Sequence, residues 1–287
     1  MATREYIGKY RLLKLVRAGK TAQIWEAMDP ADNERIALKA LHGDYCKDKH
    51  EIALLKHEYA VGNALDHEAV NRVRAFDIAK GTPFVAMDYF AGPNIKQAMR
   101  SHPQVIDKFT DDIVRLTAEG LGHMHDIGWV HCDVKPDNYL INSKAVVKLI
   151  DFSIAQKIKK KGGFGKLFKG KNKVQGTMSY MSPEQIRGEQ VDARADIYSL
   201  GCMYYELLSG KMPYTGISAN DLLTKHLRAS VPSLSSVNEN VTREFTKLVL
   251  KMMAKKPDQR PDSIKKVLDT LEKIRIRTIR RPTAPKE

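Results

Sequence analysis

The run His131-Cys132-Asp133-Val134-Lys135-Pro136-Asp137-Asn138, followed by Val146-Val147-Lys148-Leu149-Ile150 and then Asp151-Phe152-Ser153, decides the reading of this chain. Asn138 and Asp151 lie thirteen residues apart, at the two ends of a predicted hairpin whose return strand is the apolar 146–150 run. Folding that hairpin brings two oxygen-bearing side chains together, which suits Mg²⁺, a hard cation that takes oxygen ligands. Asp133 stands five residues before Asn138 in a proline-containing loop and is left free for a substrate. There it can accept a hydroxyl proton while the metal neutralises charge on phosphates. The spacing therefore points to phosphoryl transfer.

The 287 residues, 43% hydrophobic and 29% charged, suffice for one large core or two modest ones. No apolar run approaches the roughly 18 residues of a membrane span, and the N-terminal residues lack an apolar core with a cleavage site. The expectation is a cytoplasmic protein with no transmembrane segment. Cys46, Cys132 and Cys202 are odd in number and scattered, so neither a disulfide framework nor a zinc site is indicated. The net charge of +14 is local. Eight lysines and no acid lie between Lys157 and Lys173, and Leu271 to Glu287 adds six cations against two anions, so the rest of the chain is nearly balanced.

Working outward, residues 6 to 39 read as strands, with apolar and β-branched side chains in Tyr10–Val16, Gln23–Ala27 and Arg35–Lys39. Gly19 separates the first two and Asp29-Pro30-Ala31-Asp32-Asn33 the next two, the punctuation of an antiparallel meander. Helical spacing follows over 51–66, weakened at Gly62, then two more strands at 73–78 and 83–89. Beyond Gly92 the pattern turns helical. Thr110-Asp111-Asp112 opens a predicted helix that runs to Gly128. The stretch Asp196–Leu208 is apolar on most sides and stops at Ser209-Gly210, and amphipathic helices at 242–253 and 262–274 follow. The expected fold is α+β and bilobal, within a domain at 8–275. A small antiparallel-sheet N-lobe (8–87) carries one helix, a hinge (88–92) leads to a larger, mostly helical C-lobe (93–275), and 276–287 form a basic tail. A ligand cleft is expected between the lobes.

These runs resemble the protein kinase superfamily, whose catalytic loop reads H-R-D-x-x-x-x-N and whose metal loop reads D-F-G. The resemblance spans 8–275. Ile36-Ala37-Leu38-Lys39 is similar to the family's V-A-I-K and Ser182-Pro183-Glu184 to its A-P-E, with Arg260 at the arginine that pairs with that glutamate. Asp196 matches the aspartate that supports the catalytic loop. The resemblance implies ATP and Mg²⁺ as cofactors, with Lys39 on the α and β phosphates and Glu58 orienting Lys39, Glu51 being the second candidate. It implies Asn138 and Asp151 as metal ligands, Asp133 as proton acceptor and Lys135 on the transferred group. Gly19, Val16, Ile24, Ala37, Met87, Asp88 and Phe90 would surround the nucleotide. Lys135 and Thr177 mark the serine/threonine branch, and Met181-Ser182-Pro183-Glu184-Gln185 is worded like the bacterial eukaryotic-like (Hanks-type) kinases. The implied partner is a protein substrate with a Ser or Thr hydroxyl.

The chain departs from the family pattern at five points. Aligned on Gly19, the glycine-rich loop has Arg17 and Ala22 where glycines are usual, and Ser153 replaces the glycine of D-F-G. Gly62 stands where an apolar side chain normally stacks near Phe152, which predicts a less firmly seated helix. Cys132 replaces the arginine that reads an activation-loop phosphate, and residues 154–176 contain no Ser, Thr or Tyr. Together these last features predict activity without activation-loop phosphorylation. The alternative reading is a pseudokinase scaffold that binds nucleotide or partners without turnover.

Three further readings can be weighed. Gly19-Lys20-Thr21 ends like a Walker A loop, but its first glycine would fall on Lys14. His123, His125 and His131 share no helical face and have no completing ligands for zinc. The Lys157–Lys173 stretch reads as a solvated segment or as a dock for an acidic or anionic partner; nucleic acid rests on charge alone and is not expected.

Overall fold

Strand periodicity builds the first half of the chain. The computed structural model describes residues 5–158 and 176–278. Six strands, β1 (Tyr6–Ile7), β2 (Tyr10–Ala18), β3 (Ala22–Met28), β4 (Arg35–Leu41), β5 (Val73–Ala79) and β6 (Thr82–Asp88), form one antiparallel sheet in the order β1-β2-β3-β4-β6-β5. Alternation along β4 sends Ile36, Leu38 and Ala40 to one face, where they bury with Tyr10, Ala27, Phe84 and Ala86. Ala37 and Lys39 point to the other face, as the two-residue period of a strand requires. In register, Lys39 lies between Ile24 and Val85, and Ala37 faces Met87. Two register shifts in β2, one of them between Leu15 and Arg17, leave Val16 54% exposed beside the glycine turn.

Helix α1 (Lys49–Gly62) is capped by Asp48, whose carboxylate accepts from the amides of His50 and Glu51. It thus starts two residues before the predicted 51 and ends at Gly62. That glycine does not loosen the helix as the sequence predicts. A Cβ at position 62 would lie 2.3 Å from Val73 Cγ2 and 3.0 Å from Phe152 Cδ2, so the missing side chain lets β5 and Phe152 pack directly on the helix backbone. Glycine permits this close approach because it carries no Cβ.

The hinge leads into α2 (Ile95–Ser101), α3 (Pro103–Lys108) and α4 (Thr110–Asp126). At Gly92 an added Cβ would stand 2.2 Å from the Ile141 carbonyl, so glycine is required where the hinge crosses that strand. Thr110 does not cap α4; its hydroxyl donates back to the Ile106 carbonyl. The chain continues through β7 (Trp129–Val130), the hairpin β8 (Tyr139–Ile141) and β9 (Val147–Leu149), and β10 (Gln156–Lys157), which pairs antiparallel with β7. Helices α5 (Pro183–Ile186), α6 (Ala193–Ser209), α7 (Ala219–Arg228), α8 (Arg243–Met252) and α9 (Ile264–Leu271) complete the C-lobe. Helix α6 is its axis: residues 195–208 are all buried, and Gly210 ends it at φ +69°.

Residues 276–278, which the sequence assigns to the tail, are packed onto the C-lobe. Ile276 is buried, Thr242 N donates to its carbonyl, and Arg277 bonds Asp107. The rest of the tail and most of the Lys157–Lys173 stretch lie outside the described residues. Among the described residues, no helix is long and apolar enough to cross a membrane.

Candidate active site

The predicted hairpin forms as β8 and β9, with Tyr139 opposite Leu149. Ile150 N donates to the Asn138 carbonyl at 2.9 Å, so Asn138 and Asp151 emerge side by side at the open end. Asp133 is gripped from several directions. Thr177 N donates to its Oδ1 at 2.9 Å, Lys135 Nζ donates to its Oδ2 at 2.5 Å and to Thr177 Oγ1 at 2.7 Å, and Asn138 Nδ2 reaches the Asp133 carbonyl at 2.9 Å. Asp133, Lys135, Asn138 and Thr177 are therefore one cluster.

The second cluster joins the sheet to the metal loop. Lys39 Nζ lies 2.7 Å from Glu58 Oε2 and 3.4 Å from Asp151 Oδ1. Glu51 makes no such contact; its amide belongs to the Asp48 cap. Burial disfavours charge on Lys39, but the Asp151 and Glu58 carboxylates outweigh it and hold the ammonium above the ordinary lysine range. Burial likewise opposes charge on Asp151, yet Lys39 and the Ser153 hydroxyl, which donates to Oδ1 at 2.8 Å, hold the carboxyl well below its usual range. Glu58 moves the other way, pushed up by burial against the pull of Lys39.

These donor chemistries fit Mg²⁺. Asp151 is a firmly ionised carboxylate, and Asn138 spends its Nδ2 on Asp133, leaving its carbonyl oxygen for a cation. Among the described residues, no group of three or more His, Cys, Asp or Glu is placed to hold a metal ion. Two oxygen ligands accord with Mg²⁺, which keeps waters and phosphate oxygens in its shell.

Of the residues that the sequence assigns to the nucleotide, Ile24 lies opposite Lys39 and Ala37 opposite Met87 in the sheet, while the others fall in β2, the glycine turn and the hinge. Gly19 closes the β2–β3 turn with its amide on the Ala22 carbonyl at 2.9 Å, and a Cβ there would sit 2.8 Å from that oxygen. Arg17, opposite Ile24, is exposed. Val16, Ile24, Ala37 and Met87 lie on neighbouring strands. The Asp88 carboxylate turns to Arg74, and its carbonyl accepts from Asn71 Nδ2 at 3.1 Å; Phe90 packs beside Gly92. Among the described residues, cavities of about 430 Å³ beside Arg277 and about 240 Å³ between α4 and α9 lie within the C-lobe and include none of these residues.

Beneath the loop, Asp196 accepts from His131 N at 2.7 Å and Cys132 N at 2.9 Å. His125 joins it at 2.8 Å, a partner that the sequence leaves unassigned. Asp133 N donates to His131 Nδ1, so Nε2 carries the proton toward the Ile150 carbonyl. Arg260 makes a two-pronged pair with Glu184 at 2.6 and 2.9 Å. Sequence reasoning also missed His57, whose Nε2 sits 2.8 Å from the Ala155 carbonyl and whose ring meets Trp129 edge-on. It missed Gln185 as well, whose Nε2 donates to the Cys132 carbonyl at 2.8 Å. Neither belongs to a local motif; only their long-range contacts reveal them. Cys132 itself has φ +67° and a thiol pushed far up by burial, so it is inert.

Comparisons agree with this geometry. The kinase domain of PknI from Mycobacterium tuberculosis superposes with a TM-score of 0.68 at 23% identity, over 95% of this chain and 98% of that one, a likeness of fold. The chain is 31% identical to PknB of Mycolicibacterium smegmatis, covering 100% of this chain and 46% of that protein. It is 31% identical to PrkC of Bacillus subtilis, covering 88% and 38%. Both are named serine/threonine-protein kinases, and the chain spans less than half of their length. Residues 10–271 match the family described as "Protein kinase domain", and the chain belongs to that family.

Proposed function

We propose that the chain is a serine/threonine protein kinase, acting in the cytoplasm, that transfers the γ-phosphoryl group of ATP to protein hydroxyls. The observation that carries the reading is the Asp133–Lys135–Thr177–Asn138 cluster, in which a carboxylate is fixed by groups from two separate segments. Lys39, oriented by Glu58, would bind the α and β phosphates. Asn138 and Asp151 would hold Mg²⁺, which when bound supplies charge neutralisation at the phosphate oxygens. Asp133 accepts the proton of the attacking hydroxyl, and Lys135 stabilises charge on the transferred group. The Lys135–Thr177 bond supports Ser/Thr acceptors. The work is positioning and electrostatics, as phosphoryl transfer requires.

The turnover needs no activation-loop phosphate in this reading. The start of that segment is held by β10 on β7, by Ile158 N on the Gly128 carbonyl at 2.8 Å, and by His57 on Ala155. The test is Mg-ATP with a generic protein substrate, using wild type and Asp133→Asn. Wild type should label the substrate while unphosphorylated, and the variant should lose on the order of 10³-fold in kcat while still binding nucleotide. Nucleotide binding without turnover by wild type would turn the assignment to a pseudokinase scaffold. The lysine-rich 157–173 stretch would attract an acidic or anionic partner; affinity that stays flat across a salt series would refute that attraction.

A further inference from the structure

Residue 132 raises a mechanical question. It immediately precedes the proposed base, it is not glycine, and it sits at φ +67°, where side-chain-bearing residues are strained. Its thiol is buried and inert, placed against backbone groups, the Val130 carbonyl at 3.7 Å and the Gln156 amide. The side chain therefore offers no charged handle by which the 176–186 segment could grip the loop. The backbone offers one instead. Asp196 Oδ1 accepts from Cys132 N at 2.9 Å, and Gln185 Nε2 donates to Cys132 O at 2.8 Å. The Asp196 bond holds the His131–Cys132 peptide, while the peptide linking Cys132 to Asp133 is clamped at both ends, its carbonyl by Gln185 and its N–H by His131 Nδ1 at 3.2 Å.

Gln185 is itself fixed. Its Oε1 accepts from Ser182 N at 3.1 Å and from Ser182 Oγ at 2.9 Å, which completes a capping box at the start of α5. With one end of the amide spent on a buried serine, the other end has a fixed direction. Gly176 passes over the same carbonyl: a Cβ there would lie 3.1 Å from Cys132 O, and its φ is +113°. The segment therefore touches the loop at Thr177 and at Gln185. The first contact meets Asp133 directly, and the second meets the peptide that carries it.

We infer that Gln185 is a positioning residue, a neutral strut that holds the Cys132–Asp133 peptide and so aims the Asp133 carboxylate, in place of any coupling through a charged side chain at 132. The inference deepens the kinase reading and rests on it. Rotation of that peptide would swing the Asp133 amide off His131 Nδ1 and move its carboxylate away from Thr177 N. Displacement of a base by about 1 Å is enough to cost on the order of 100-fold in rate.

Gln185→Glu isolates the strut. A glutamate keeps the acceptor for Ser182 and suits the first turn of α5, so the cap survives. It loses the donor to Cys132 and sets a carboxylate against a carbonyl oxygen. The expected result is a kcat lower by on the order of 100-fold, with KM for ATP and the melting temperature close to wild type. The variant-to-wild-type kcat ratio should climb as pH falls toward about 5, because a protonated carboxyl can donate to Cys132 O again. Amide exchange of residues 131–134 should speed up in the variant, while residues around Lys39 and Glu58 stay unchanged. Unaltered kcat with unaltered exchange overturns the strut, and so does a kcat loss that does not recover at low pH. If wild type shows no turnover, the kinase reading fails, and the exchange comparison alone then decides whether Gln185 holds the loop.

Discussion

Replacing Gly62 with alanine sets two known effects against each other. In a helix the change ordinarily stabilises by about 0.5–1 kcal/mol, since alanine loses less backbone freedom. Here the new Cβ would stand 2.3 Å from Val73 Cγ2, 3.0 Å from Val73 Cβ and 3.0 Å from Phe152 Cδ2, against a comfortable carbon contact of about 3.5–4 Å. Neither neighbour can retreat easily. Val73 is β-branched and paired across to Met87, and Phe152 is 1% exposed with its ring against His131. Overpacking of this kind costs about 1–3 kcal/mol, which outweighs the helix gain and leaves a net loss of about 1–2 kcal/mol. For a chain of 287 residues the melting temperature should drop by about 2–3 °C. The shift has a functional signature too, because Glu58 lies one helical turn before Gly62. If α1 moves outward, the 2.7 Å Lys39–Glu58 contact opens, and the rise in melting temperature expected with Mg-ATP under the proposed function should shrink. Thermal scans of wild type and Gly62→Ala, with and without Mg-ATP, read both effects. A variant as stable as wild type, with an undiminished nucleotide shift, would refute the close-approach reasoning.

Two other substitutions probe the C-lobe. Glu184→Gln leaves the Arg260 guanidinium, 2% exposed, without its counter-charge, so unfolding free energy should fall by about 3–5 kcal/mol in a denaturant titration; an unchanged midpoint would show the pair to be dispensable. His226 is fully buried, bonded through Nδ1 to the Tyr198 hydroxyl at 3.0 Å, and burial, with help from Lys255, lowers its pKa to about 4. The unfolded chain therefore binds the proton more tightly than the folded one between about 6.5 and 4. The stability this provides is complete above 6.5 and is lost as the pH falls toward 4, to the extent of about 3 kcal/mol. His226→Phe should flatten that part of the stability profile, and a profile that keeps its slope would place the titration elsewhere.

What the sequence disclosed was whatever chemistry or period confines to a short window. Asp133, Lys135 and Asn138 share one loop, Lys39 sits at a strand position whose face is set by alternation, and the end of α6 at Gly210 is written in the glycine itself. What escaped depends on partners far along the chain. His57 meets a carbonyl 98 residues away, Gln185 one 53 residues away, and the packing of 276–278 depends on Val241, Thr242 and Asp107. Gly62 is the instructive case, because a local reading sees an absent side chain and predicts a less firmly seated helix. The space is filled by Val73 and Phe152, two residues whose arrival no local pattern announces. The same holds for the other departures. Ser153 gives up a glycine's freedom and binds the Asp151 carboxylate, and Cys132 gives up a charge and leaves its carbonyl to Gln185 and its amide to Asp196. Taken singly, each substitution resembles a lost catalytic asset. In three dimensions each is matched by a short contact from another part of the chain or of the same loop. Such contacts support the proposal that this site needs no activation-loop phosphate to assemble.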